Sequence, residues 1–164
     1  MLEDLLDASR RMTASLDTAE VGAIALMEAK RLVGAEGGLL AIRSDAGLSP
    51  LHFSPTSLFD LDGLSTCSLM RVVETGRSVV QLATDEPVLV EVPMAMAAVP
   101  VVADGVVADG VVADGVVAGA IMVVRVPSRP FERPDMDALE MLAPLVGSAL
   151  QIRRSRVLCL ASGR

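Results

Sequence analysis

The residues that could do covalent chemistry are few. Cys67, Cys159 and a single histidine, His52, are the reactive set, and they lie far apart in the sequence. Cys67 is followed by Ser68 and has no neighbouring second thiol or histidine. No carboxylate pair, Ser-His-Asp set, metal-ligand spacing or phosphate-binding glycine loop stands out. The chain is therefore expected not to be an enzyme, to hold no metal and to need no cofactor. The most regular carboxylates are Asp104, Asp109 and Asp114, each followed by glycine in a Val-Val-Ala-Asp-Gly unit that occurs three times in succession. One carboxylate per five residues falls short of the six to eight oxygen ligands that calcium takes. Their chemistry is that of turns.

An Asp-Gly pair between apolar, β-branched runs signals a hairpin, because glycine supplies the positive φ of a type I′ turn without steric cost. Of the three candidates, a turn on Asp109 and Gly110 is chosen by pairing. It sets Ala108 opposite Val111, Val107 opposite Val112 and Val106 opposite Ala113. Outside these it sets Gly105 opposite Asp114 and Asp104 opposite Gly115. It also keeps Ala103 with Val116, Val102 with Val117 and Val101 with Ala118, the pairs that one copy of the repeat would give. The unit thus lengthens one hairpin over residues 101–118, by about 17 Å per strand at 3.4 Å per residue. A two-stranded ribbon with no third strand or helix over it is marginal in water, and its edges are templates for another chain. Val101, Val102, Val106, Val107, Val111, Val112, Val116 and Val117 are therefore the expected self-association surface.

Composition sets the rest of the frame. The chain has 164 residues, 52% of them hydrophobic, enough for one domain spanning 1–164 with a sizeable core. A net charge of -7, three Phe and neither Trp nor Tyr work against nucleic-acid binding. Asp and Gly interrupt the longest apolar run, so no membrane span is expected, and with no signal peptide visible the expected location is cytoplasmic. The two cysteines are read as reduced thiols.

Helical spacing of Leu2, Leu5, Leu6 and Met12 gives a first amphipathic helix. Asp17, three residues before Glu20, opens a second that stops at Gly34. Strands follow at Gly38 to Ile42 and Leu51 to Phe53, the second bracketed by Pro50 and Pro55 as an edge. A helix capped by Ser65 ends at Thr75-Gly76. Strands come next at Ser78 to Leu82 and Val88 to Val92, then the long hairpin. Pro134 opens a final helix with Met136, Leu139, Ala143, Val146 and Leu150 on one face and a kink expected at Pro144.

This order, with Val72 to Val80 as helix end, Gly76 and strand, Val99 to Val124 as the late strand pair, and Phe131 to Leu150 as the closing helix, resembles a GAF domain. The resemblance covers nearly the whole chain. It implies an α+β sandwich: a central antiparallel sheet of five to six strands, terminal helices on one face and a ligand cavity on the other. It also implies a regulatory signalling module that binds a small molecule, forms a homo-oligomer through its terminal helices and is linked to an output domain. The cavity wall it implies, on the helix Thr66 to Glu74 and the sheet beyond, nominates Cys67, Met70, Met94, Met96 and Met122. The Asn-Lys-Phe-Asp-Glu motif of cyclic-nucleotide-binding members and the Cys-His pair of bilin-binding members are absent from the sequence. The alternative reading is a self-assembling β-rich protein, natural or engineered, that forms fibrils or gels and senses no ligand.

Overall fold

The computed structural model describes residues 2–14, 17–44, 47–90, 92–103, 106–108, 110–113 and 115–162, with 151–162 as backbone alone. Two helices come first, α1 (Leu2–Ala14) and α2 (Thr18–Val33). The Asp17 carboxylate caps α2 by accepting from the Ala19 amide at 3.0 Å, and Gly34 ends it in the left-handed conformation. The buried face of α1 is Leu5, Ala8 and Met12, so the expected stripe is divided: Leu2 and Leu6 face outward.

Strands β1 (Gly37–Ser44) and β2 (Gly47–Ser54) form a hairpin with β2 at the sheet edge, as expected; β2 begins earlier than expected, so that Pro50 lies inside it, opposite Ala41 beside an irregularity in register, and only Pro55 flanks it. Two 3-10 turns (Thr56–Leu58 and Leu61–Thr66) lead into α3 (Ser68–Thr75), which ends at the left-handed Gly76. The sheet continues with β3 (Val79–Thr84), β4 (Met94–Ala103) and, beyond the repeats, β7 (Val116–Arg125); the order is β2-β1-β7-β4-β3, with each neighbouring pair antiparallel. Where a strand is expected at Val88 to Val92, residues 88–90 form a turn whose Leu89 makes a single bridge to Phe59, and residue 91 lies outside the described residues. Pro93 cannot donate to a ladder, and this stretch is used as cover for the sheet rather than as part of it.

Within the repeats, β5 (Val106–Ala108) pairs with β6 (Val111–Ala113) through Val106–Ala113, Val107–Val112 and Ala108–Val111. Those are the pairs that a turn on residues 109 and 110 requires, and Gly110 has φ 75°. Below it, Ala103 pairs with Val116 and Val102 with Val117, but Val101 pairs with Gly119 across a bulge. The pairs expected for Asp104, Gly105 and Asp114 lie outside the described residues.

The hairpin does not stand off the domain. The Ser78 amide donates to the Gly110 carbonyl at 2.9 Å and the Val112 amide to the Gly76 carbonyl at 3.1 Å, so residues 76–78 act as a third strand along β6. Val107 is buried with the core that α4 (Arg133–Ser162) covers. The fibril-forming reading rests on a ribbon with bare faces and edges, and this docking removes that ground.

Helix α4 runs through Pro144 without ending. It lies so close to β4 that a Cβ on Gly147 would fall 1.9 Å from the Val102 carbonyl oxygen. Helices α2 and α4 cover one sheet face, with α1 packed on both of them. On the other face α3, the 3-10 turns and the stretch around Val88 and Leu89 enclose a second core.

Candidate functional site

The second core contains most of the residues nominated for ligand contact. Met94 and Met96 on β4 and Met122 on β7 point to the same sheet face, because β4 and β7 are adjacent and alternate residues share a side. Ala98 and Ala120 lie beside them, and Cys67, Leu69 and Val72 close the face from α3 and the residue before it. All three methionines are buried. Met70 is separate: it is half-buried and lines an open depression of about 300 Å³ with Thr66, Cys67, Ser68, Arg71 and Glu74. The structure thus brings together Cys67, Met94, Met96 and Met122 and leaves Met70 at the rim.

Cys67 is chemically quiet. Burial pushes its thiol pKa up, Glu86 adding to the effect, and its Sγ donates to the Leu64 carbonyl oxygen at 3.1 Å. A thiolate is the nucleophilic form, so this environment keeps Cys67 in its unreactive state at neutral pH. Helix α3 starts at Ser68, later than a cap at Ser65 would place it, and its first turn is capped from elsewhere. Glu86, distant in sequence, accepts from the Ser68 amide at 3.0 Å and from the Ser68 hydroxyl. A carboxylate at the first turn of a helix satisfies an otherwise unpaired amide. Among the described residues no group of three His, Cys, Asp or Glu could hold a metal ion. The Cys159 side chain lies outside the described residues.

A sheet with helices on one face and a short-helix cover over a methionine-lined interior agrees with the family model that matches this sequence, that of the GAF domain, over residues 17–150. The chain belongs to the GAF domain family. Its fold is similar to that of the GAF domain from a phosphoenolpyruvate-protein phosphotransferase of Coxiella burnetii, at TM-score 0.69 and 13% identity, covering 96% of each chain. The GAF-B domain of DevS from Mycobacterium smegmatis superposes at TM-score 0.60 and 19% identity, covering 87% of this chain and 98% of that one. Residues 122 to 287 of a methyl-accepting chemotaxis protein give TM-score 0.63 and 16% identity, over 93% and 99% of the two chains. No curated protein matches the sequence. Regulatory sensing is the business of this family, and no helix among the described residues is long and apolar enough to cross a membrane.

Within this GAF domain the nominated self-association valines divide by environment. Val101, Val102 and Val107 are core residues, and Val112 and Val117 pack against the core from half-buried positions. Val111 and Val116 are exposed, at 44% and 70%. The Val106 side chain and Asp109 lie outside the described residues.

Besides Glu86, two buried charges escape a reading for motifs. Arg125, at the end of β7, donates to the carbonyls of Val33, Arg129 and Pro130 and to Asp135, and its guanidinium lies 4.1 Å from the centre of the Phe131 ring. It ties the end of α2 to the loop that starts α4. Its signal in the sequence is a lone charge closing the apolar run Ile121 to Val124. Glu140, on α4, is the other; nothing in its surroundings in sequence distinguishes it from a solvated helix carboxylate.

Proposed function

We propose that this GAF domain is a non-catalytic sensing module of a cytoplasmic signalling protein, binding a small molecule on the sheet face of Met94, Met96 and Met122 and acting as a homo-oligomer on a linked output domain. The observation that carries this reading is the unequal cover of the sheet. One face is held by helices of 13 to 30 residues, whereas the other is closed by the eight-residue α3, two 3-10 turns and an irregular stretch. Short irregular cover opens at lower free-energy cost than long packed helices. Methionine side chains adapt to a new neighbour by rotating about three bonds. Cys67 and Met70 would meet a ligand entering beneath α3. A ligand that binds only the folded chain at a hundredfold over its Kd stabilises it by about 2.7 kcal/mol. Thermal melting against a metabolite library should give at least one compound that raises Tm in the native chain and much less in Met96→Ala. A library that moves neither chain's Tm counts against the reading.

Oligomer formation through the terminal helices is supported by Leu2 and Leu6, exposed at 62% and 49% on one side of α1, with Met141 exposed on α4. Leu5 and Leu139, on the same helices, are committed to the core. Helix α4 spans about 45 Å at 1.5 Å per residue, and it continues beyond Leu150 as a rigid connection for an output domain. Contact between copies through the hairpin takes a narrower form than eight valines, resting on Val111 and Val116. Light scattering separates the two surfaces. Leu2→Glu with Leu6→Glu should reduce the mass towards one chain, and Val111→Thr with Val116→Thr should affect only larger species.

A further inference from the structure

Beside the repeat turn, on the helix-covered side of the sheet, lies a cavity of about 250 Å³ lined by Arg77, Ser78, Val80, Gly110, Val111, Arg133, Met136 and Glu140. It exists because the second repeat brings Gly110 against β3 and α4, and it is remote from the methionine face. Its polar groups are incompletely matched. Glu140 has a side chain only 5% exposed; its Oε2 accepts from Arg133 at 3.2 Å, while its Oε1 is buried without a hydrogen-bond partner. Ser78 Oγ is buried without a partner as well. Both flank Gly110: a Cβ built there would lie 3.7 Å from the Ser78 Cβ and 3.8 Å from Glu140 Oε1. Buried polar atoms are nearly always paired, so two unpaired ones facing one cavity point to a missing partner.

We propose that this cavity binds a small amino-carboxylate zwitterion of the free amino acid type, with its ammonium on Glu140 Oε1 and Ser78 Oγ and its carboxylate on Arg77. Charge selects this class. Arg133 is already committed to Asp137 at 2.8 Å and to Glu140, so one oxygen of Glu140 is left for a donor. Arg77 is exposed at the mouth and pairs with no carboxylate among the described residues. A lone anion would face Glu140 and a lone cation would face two guanidinium groups, whereas a ligand carrying both charges matches both ends. Val80, Val111 and Met136 supply an apolar wall for a short aliphatic side chain. The volume falls below the roughly 300–1,000 Å³ of sites for drug-sized ligands and suits a metabolite of few atoms.

Amide NMR of the whole chain titrated with glycine, L-alanine and L-valine tests the proposal, with isovalerate and isobutylamine as L-valine stripped of its amine or its carboxylate. At least one amino acid should shift the Ser78, Gly110 and Met136 amides, and neither single-charge compound should match it. Arg77→Met, a change at the exposed mouth that leaves the core untouched, should weaken binding about ten- to a hundredfold, as should Glu140→Gln. Removing residues 105–114 should abolish it. The proposal is overturned if no amino acid shifts these amides at millimolar concentration, if the amine or acid alone binds as well, or if Arg77→Met binds like the native chain.

Discussion

Arg125 shows how one residue can hold several segments at once. Its guanidinium serves three carbonyls and the Asp135 carboxylate while almost fully buried. Removing one partner of such a set leaves the others desolvated and unpaired, at a cost of about 3–5 kcal/mol. Arg125→Met, which keeps the stem of the side chain, is expected to lower the urea midpoint accordingly with an unchanged m value. Cys67 gives a pH-dependent prediction. Its pKa in the folded chain is raised, chiefly by burial, so folding favours the protonated thiol. That contribution is fully present below the ordinary thiol value of 9.0 and is lost as pH rises through the higher folded value. In a Cys159→Ser background, iodoacetamide should alkylate Cys67 far more slowly in the native chain than in urea at neutral pH, and Tm should decline above pH 9.0. Equal alkylation rates would show that Cys67 is not shielded. Cys67 and the three core methionines are nominated through a family resemblance, and the fold places them together. Arg125 shows in the sequence only as a lone charge closing an apolar run, Glu86 is not legible because its partner Ser68 lies 18 residues away, and Glu140 reads as a solvated helix carboxylate.

Among the elements, the hairpin is the most readable and also the most misleading. Pairing arithmetic places its turn on residues 109 and 110, since side-chain period and Asp-Gly spacing restrict the register strongly. The docking of β6 on residues 76–78 has no signature in composition, as backbone amides and carbonyls carry no sequence label. The same holds for the stretch from Val88 to Leu89, where apolar residues serve as a lid rather than a strand. Helix ends are legible because Gly34 and Gly76 supply left-handed caps. Helix α4 offers a sharp test at this scale. Gly147 allows its close approach to β4, so Gly147→Ala must push the helix off the Val102 carbonyl. The expected cost is about 1–3 kcal/mol, read as a lower Tm by calorimetry. Ser148→Ala, at the exposed position next to it, is the control that should leave Tm nearly unchanged.

The whole molecule is a sheet whose two faces are covered in different ways, and the proposed sensing follows from that asymmetry. Met12 and Met136 belong to the helix-covered core, while Met94, Met96 and Met122 belong to the other. Methionine methyl groups therefore report the two faces separately. The decisive experiment is the carbon-13 methyl spectrum of methionine-labelled protein against a library of small metabolites. At least one compound should shift the methyl signals of Met94, Met96 and Met122 together while leaving Met12 in place. A library that shifts none of these three, or a binder that perturbs Met12 and not the sheet face of Met94, Met96 and Met122, would overturn the sensing proposal.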